Sequence, residues 1–177
     1  MAKKRKVTNS EELDEVEVGN MKKQTYGYSA KVLETFKHPK NIGEIKDADG
    51  VGKVGNEHCG DLMWMYLRIA DGKSGEYIKD IKIKTFGCLG AISSSSILTE
   101  MVKGKTIDDA LKVTKDQVIR ELGGLPPIKV HCSVLSVDAL KEAIYDYYRR
   151  KGRKMPKDLE LVHRHNEQVC KGIEHMH

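Results

Sequence analysis

At 177 residues, with 39% hydrophobic and 32% charged content, the chain suits one modest domain with tails and a heavily charged surface. The net charge of +5 is mild and spread along the chain, which argues against a dedicated nucleic-acid binder. No apolar run approaches the ~20 residues that cross a bilayer, and the N-terminus has no signal-like apolar stretch. A cytoplasmic, reducing setting is therefore expected. There the four cysteines, Cys59, Cys88, Cys132 and Cys170, suggest metal or catalytic thiols rather than disulfides.

Residues 1–24 pair a basic run, KKRK at 3–6, with the acidic stretch EELDEVEV, and read as a disordered extension. In YSAKVLETFKHPKNIG, Ser29 is placed to N-cap a short helix with Val32, Leu33 and Phe36 on one face. Pro39 ends it, and Asn41 to Gly43 form a loop. DLMWMYLRIA alternates, with Met63, Met65, Leu67 and Ile69 on one face. Asp71, Gly72 and Gly75 supply a turn, and YIKDIKIKTF then sets Ile81 and Ile83 against Lys82 and Lys84. The expectation is an antiparallel hairpin with one covered face, joined by a further strand around Gly50 to Gly55. Trp64 and Tyr66 fall on the other face, as a partner contact or under a tail or loop.

After Cys88 the period turns helical through the run Ser93–Ser96 to Ile97, Leu98, Met101 and Val102, with Gly104 as the stop. Small hydroxyl side chains suit close packing on the sheet, with O–H groups free to bond the preceding turn. Two short helices follow, capped by Thr106 and by Thr114 or Asp116. Gly123, Gly124, Pro126 and Pro127 force a loop. A long helix begins at Cys132 or Ser133, with Ser136, Leu140, Ala143, Ile144 and Tyr147 in one stripe. Residues 153–177 form a tail, partly helical, that holds four of the seven histidines. Its HRH at 163–165, with Cys170, His175 and His177, reads either as a metal-binding tract or as incidental. The fold class is α+β: a small antiparallel sheet of about three strands with helices packed on one face, over residues 25–152.

Three cysteines fall at element boundaries, where a rigid scaffold presents side chains. Cys59 stands in HCGD, Cys88 after FG, and Cys132 in VHC. Cys88 and Cys132 lie at helix N-termini, where the dipole and free N–H groups favour thiolate. Asp61 and His131 accompany them. Three thiolates with one carboxylate or imidazole make a four-coordinate set for zinc or for iron–sulfur chemistry, and spacing alone does not choose between them. Ordinary buried cysteines are the competing reading. Lys129 precedes this group and reads either as a source of positive potential or as a surface lysine.

Taken together, YSAKVLETFKHPKNIG, HCGD, KTFGCLGAISSSSILTEMVKGKT and LPPIKVHCSVLSVDALKEAIYDY resemble the IscU/NifU N-terminal family of iron–sulfur cluster assembly scaffolds, in the family's order over about Tyr28 to Arg150. The resemblance implies an IscU/SufE-like α+β domain. It implies that iron and sulfide assemble into a labile [2Fe-2S] cluster that passes to apo-proteins, through a scaffold rather than an enzyme. Cys59, Cys88 and Cys132 match the family's sulfur-accepting thiolates, and Asp61 and His131 its remaining ligands. The compact Cys88–Cys132 segment with His131 is closer to IscU than to the SufU-like branch. The implied partners are a cysteine desulfurase or other sulfide source, apo iron–sulfur acceptor proteins, an Hsp70-type chaperone at Leu125, Pro126, Pro127, Ile128 and Lys129, and a second copy in a homodimer. No nucleic acid or membrane partner is expected. A zinc-bound sulfur acceptor working with a desulfurase is the alternative that the same residues permit. A structural metal domain binding partners through Trp64 and Tyr66 is a third. Departures from the pattern are Leu89 followed by Gly90 after the cysteine, where the family usually has glycine and serine, and an added glycine in ELGGLPP.

Overall fold

The computed structural model describes residues 27–56 and 60–174. The extension expected to be disordered over 1–24 lies outside the described residues, as does Cys59. The elements are α1 (Ala30–Lys37), β1 (Gly50–Asn56), β2 (Asp61–Gly72), β3 (Gly75–Phe86), α2 (Leu89–Val102), α3 (Ile107–Leu111), α4 (Lys115–Glu121), a 3-10 turn (Pro127–Lys129), α5 (Val130–Arg150) and α6 (Lys157–Glu174). The three strands form one antiparallel sheet in the order β1-β2-β3.

Alternation in the sequence becomes two-facedness in the sheet. Val54, Met63, Met65, Leu67, Ile81 and Ile83 are fully buried on one face. On the other, the register aligns Lys53 with Trp64 and Lys84, and Val51 with Tyr66 and Lys82. The expected one-sided cover is therefore what forms. It consists of α5 against β1 and β2, and α2 against β3 and α5. β1 is glycine-rich because α5 lies directly on it: a Cβ on Gly52 would fall 2.3 Å from the Ala139 carbonyl oxygen.

Helix α1 starts as the sequence indicates, with Ser29 Oγ accepting from Val32 N at 3.1 Å. Helix α2 is buried almost all round, and Ser93 to Ser96 are all fully buried. Only part of the expected hydroxyl bonding is local. Ser95 Oγ donates to the Ala91 carbonyl at 2.8 Å, one turn back. Ser93 Oγ instead donates across to the Val32 carbonyl of α1 at 3.0 Å, and Ser96 Oγ accepts from Lys40 N at 2.8 Å. The serine run thus holds the N-terminal segment as well as its own helix. Thr114, rather than Asp116, caps α4, in a reciprocal box with Gln117.

Helix α5 begins at Val130, two residues before the expected start, because the Pro127–Lys129 turn runs straight into it. Its predicted stripe of Ser136, Leu140, Ala143, Ile144 and Tyr147 is buried throughout. The C-terminal segment is more ordered than a tail: α6 packs on α5 and β1, with Leu159 and Asn166 buried. His163 pairs with Glu142 at 2.5 Å and stacks on Tyr145 with ring centroids 3.9 Å apart. That engagement makes His163 a packing residue rather than part of a free metal tract. Among the described residues, no helix is long and apolar enough to cross a membrane.

Candidate metal centre

Four described side chains converge at one end of the sheet. Asp61 opens β2 and pairs with Asn56 of β1. Cys88 is the N-cap residue of α2, while His131 and Cys132 lie in the first turn of α5. The Cys88 and Cys132 sulfurs stand 3.5 Å apart. Asp61 Oδ1 accepts from the Cys88 backbone N–H at 3.2 Å, tying the first strand turn to the start of α2. Donor atoms of Asp61, His131 and Cys132 lie within 4.8 Å of one another.

Two features distinguish this cluster from a packed corner. Asp61 Oδ2 and His131 Nε2 are buried without a hydrogen-bond partner among the described residues. Leaving such atoms unpaired costs about 1–3 kcal/mol each. A cation would supply what both lack. The donor chemistry, soft thiolate with harder carboxylate and imidazole, fits iron, zinc or an iron–sulfur unit.

The second feature is the state of Cys88. Its thiol pKa is lowered to about 6, first by the hydrogen bond with Cys132. Burial opposes this, and the free N–H groups of Ala91 and Gly90 at the start of α2 assist it. The expected helix-terminus effect is therefore present at Cys88, second to its partner thiol. Cys132 is fully buried and Cys88 half-buried, so the pair presents one sulfur inward and one outward. Lys129 follows the first of its two readings, its ammonium held above its ordinary pKa chiefly by the Cys88 charge.

Nothing in the residue pattern ties Tyr28 to this end. Its phenol pKa is raised by burial and then by the charge of Cys88. It lies next to Gly27, which packs near Pro126 and so borders the LPPIK segment. In that segment Ile128 is 77% exposed, leaving an apolar side chain open to solvent.

The two departures around Cys88 have a structural account. A Cβ on residue 90 would sit 3.2 Å from the Cys132 sulfur and 3.6 Å from that of Cys88, so glycine keeps the space between them open. Leu89 packs against the margin of the core. An open cleft beside His131, lined also by Asn56, Asp138, His165 and Asn166, places α6 next to the centre. The 163–165 histidines therefore divide: His163 is engaged with Glu142, and His165 faces the cleft.

Fold and site together define a small α+β domain with a soft-metal donor set at one end of its sheet. The chain belongs to the NifU-like N terminal domain family, whose match spans residues 27–154. It is 56% identical over 126 residues to an iron–sulfur cluster assembly scaffold protein IscU of Archaeoglobus fulgidus, covering 71% of this chain and 80% of that one. The IscU of Aquifex aeolicus is 46% identical over 129 residues, covering 73% and 81%. That of Haemophilus influenzae is 44% identical over 128 residues, covering 71% and 98%. A NifU-like N-terminal structure from Brucella abortus shares the fold with a TM-score of 0.55 at 22% identity, covering 69% of this chain and 94% of that one.

Proposed function

We propose that the chain is an iron–sulfur cluster assembly scaffold. Its substrates are iron and sulfide, and its product is a labile [2Fe-2S] cluster that it hands to apo-proteins. Cys59, Cys88 and Cys132 act as the sulfur-accepting thiolates, with Asp61 and His131 as the remaining donors. The observation that carries this reading is the pair of buried, partnerless atoms, Asp61 Oδ2 and His131 Nε2, beside two thiols of which one is already acidic. Cys59 stands two residues from Asp61 in the sequence.

The chain works as a carrier rather than a turnover enzyme, because a product that must leave needs a replaceable ligand. Asp61 is that ligand: a hard carboxylate on iron that prefers thiolate. The sulfur comes from a cysteine desulfurase or another sulfide source. Leu125, Pro126, Pro127, Ile128 and Lys129 form the grip for an Hsp70-type chaperone, with Ile128 as its apolar hold. A reducing cytoplasm keeps the thiols available. The scaffold relatives named above support this reading.

Anaerobic reconstitution with iron and sulfide tests it. Wild type gains a visible cluster spectrum that is lost in Cys59→Ala, Cys88→Ala and Cys132→Ala. Asp61→Ala retains its cluster longer against an acceptor than wild type does; faster loss sinks the assignment of Asp61. A colourless zinc form that raises desulfurase turnover, with no cluster formed, replaces this reading by a zinc-bound sulfur acceptor.

A further inference from the structure

The outer face of the sheet is only partly covered by described residues and has no part in the proposed chemistry. The register places Leu62 beside Phe86, Trp64 between Lys53 and Lys84, and Tyr66 between Val51 and Lys82. Apolar and aromatic side chains thus form a strip down the middle, flanked by lysines. Phe86 is 77% exposed, and Trp64 and Tyr66 are only partly covered. At the far end Arg68 stands beside Asp80 and donates to the Lys46 carbonyl at 2.8 Å, and Glu44, paired with Lys84 at 2.6 Å, is an acidic neighbour at the edge, so the basic stretch is Lys53, Lys82 and Lys84. The Lys53 ammonium lies 6.0 Å from the Trp64 ring centre.

We infer that this face is the docking site for the chain's own acidic segment, Glu11 to Val18. Three observations choose that occupant. The first is charge. Glu11, Glu12, Asp14, Glu15 and Glu17 oppose Lys53, Lys82 and Lys84, and Leu13, Val16 and Val18 supply apolar side chains for the strip. A second copy would set one basic face against another.

The second is where the described chain begins. Gly27 packs near Pro126, and the Tyr28 phenol feels the charges of Cys88 and Asp61. The chain therefore enters at the same end of the sheet at which the strip starts, with Leu62 next to Asp61 and Phe86 two residues before Cys88.

The third is reach. The eight residues from Gly19 to Tyr26 span at most about 26 Å when extended. An extended eight-residue segment covers a further ~26 Å, more than the ~20 Å from Leu62 to Arg68. The inference does not depend on the cluster chemistry.

Trp64 is the only tryptophan in the chain and so reports directly on the face. The measurement is its emission and its quenching by acrylamide in the cluster-free full-length protein. Substituting Glu12→Lys, Asp14→Lys and Glu15→Lys together shifts the emission to the red and raises quenching, as does added salt. Adding Lys53→Glu and Lys82→Glu to that variant restores protection, because the charges are exchanged. Quenching that is unchanged by the acidic-segment substitutions overturns the inference. So does protection that follows protein concentration equally in both variants, which assigns the face to a second copy. Cluster formation in the reversed-charge variants separates failure here from failure of the scaffold reading.

Discussion

Helices α2 and α5 each deliver one cysteine to the same point, and they do so by opposite means. Helix α2 is buried on nearly every side, with serines where a two-faced helix would carry charge. Its position is fixed by hydroxyl groups that reach α1 and Lys40. Helix α5 is amphipathic, buries one stripe on the sheet, and is anchored at its far end through Asp146, which accepts from Val51 N at 2.9 Å. The cysteines differ accordingly. Cys88 is a cap residue that contributes no side-chain capping bond, and it is half-exposed. Cys132 is inside the first turn and fully buried. One helix offers a reactive sulfur at the surface, and the other holds a sulfur in the wall behind it.

The contrast can be broken by substitution. The largest effect is expected at the seat of α5. Gly52→Ala drives a methyl into the Ala139 carbonyl, and only backbone movement relieves it. A loss of about 3 kcal/mol in urea unfolding is expected. An unchanged midpoint would mean that α5 does not rest on β1 as described.

The two cysteines should then respond to serine in opposite directions. Cys132→Ser places a hydroxyl in a fully buried site and costs about 1–3 kcal/mol. Cys88→Ser places a strong capping residue at a cap that lacks a side-chain bond, and gains up to about 1 kcal/mol. Thermal unfolding of the metal-free variants reads both. Equal destabilisation by the two would erase the distinction between surface and wall.

The smallest effect is on reactivity. Alkylation of Cys88, followed on its own peptide by mass spectrometry, should rise with pH through a midpoint near 6 and level off above it. The thiolate is the reacting form, so a lowered pKa moves the rise to lower pH. Cys132→Ala removes the main cause of that lowering and moves the midpoint up. A midpoint that stays in place would assign the acidity to the α2 N-terminus alone.

What could be read from the sequence followed from period and punctuation. Met63, Met65 and Leu67 against Trp64 and Tyr66 give the two faces of β2 directly, because a strand has a period of two. The serine run was legible as helix from Ile97, Leu98, Met101 and Val102 beyond it. Cys88, Cys132, Asp61 and His131 were legible as a set through the boundary positions and the family resemblance, and the fold brings these four to one place. Less legible were features set by contact alone. Ser93 looks the same in sequence whether it bonds its own helix or α1. Tyr28 has no motif that ties it to thiols 60 and 104 residues away. The α6 segment is only loosely periodic, and its position is set by partners such as Glu142 and Tyr145 on α5.

The 3.5 Å gap between the Cys88 and Cys132 sulfurs has a consequence for handling and for the cell. A disulfide needs about 2.05 Å between sulfurs, so closing the gap takes a movement of roughly 1.5 Å. With Cys88 largely ionised at neutral pH, the attacking form is already in place. A two-electron oxidant such as hydrogen peroxide is expected to convert the Cys88 thiolate to a sulfenic acid, which the Cys132 thiol displaces as water to leave a disulfide. Under the proposed function that bond occupies the two sulfurs that would hold iron, so peroxide treatment is expected to lower loading and a thiol reductant to restore it.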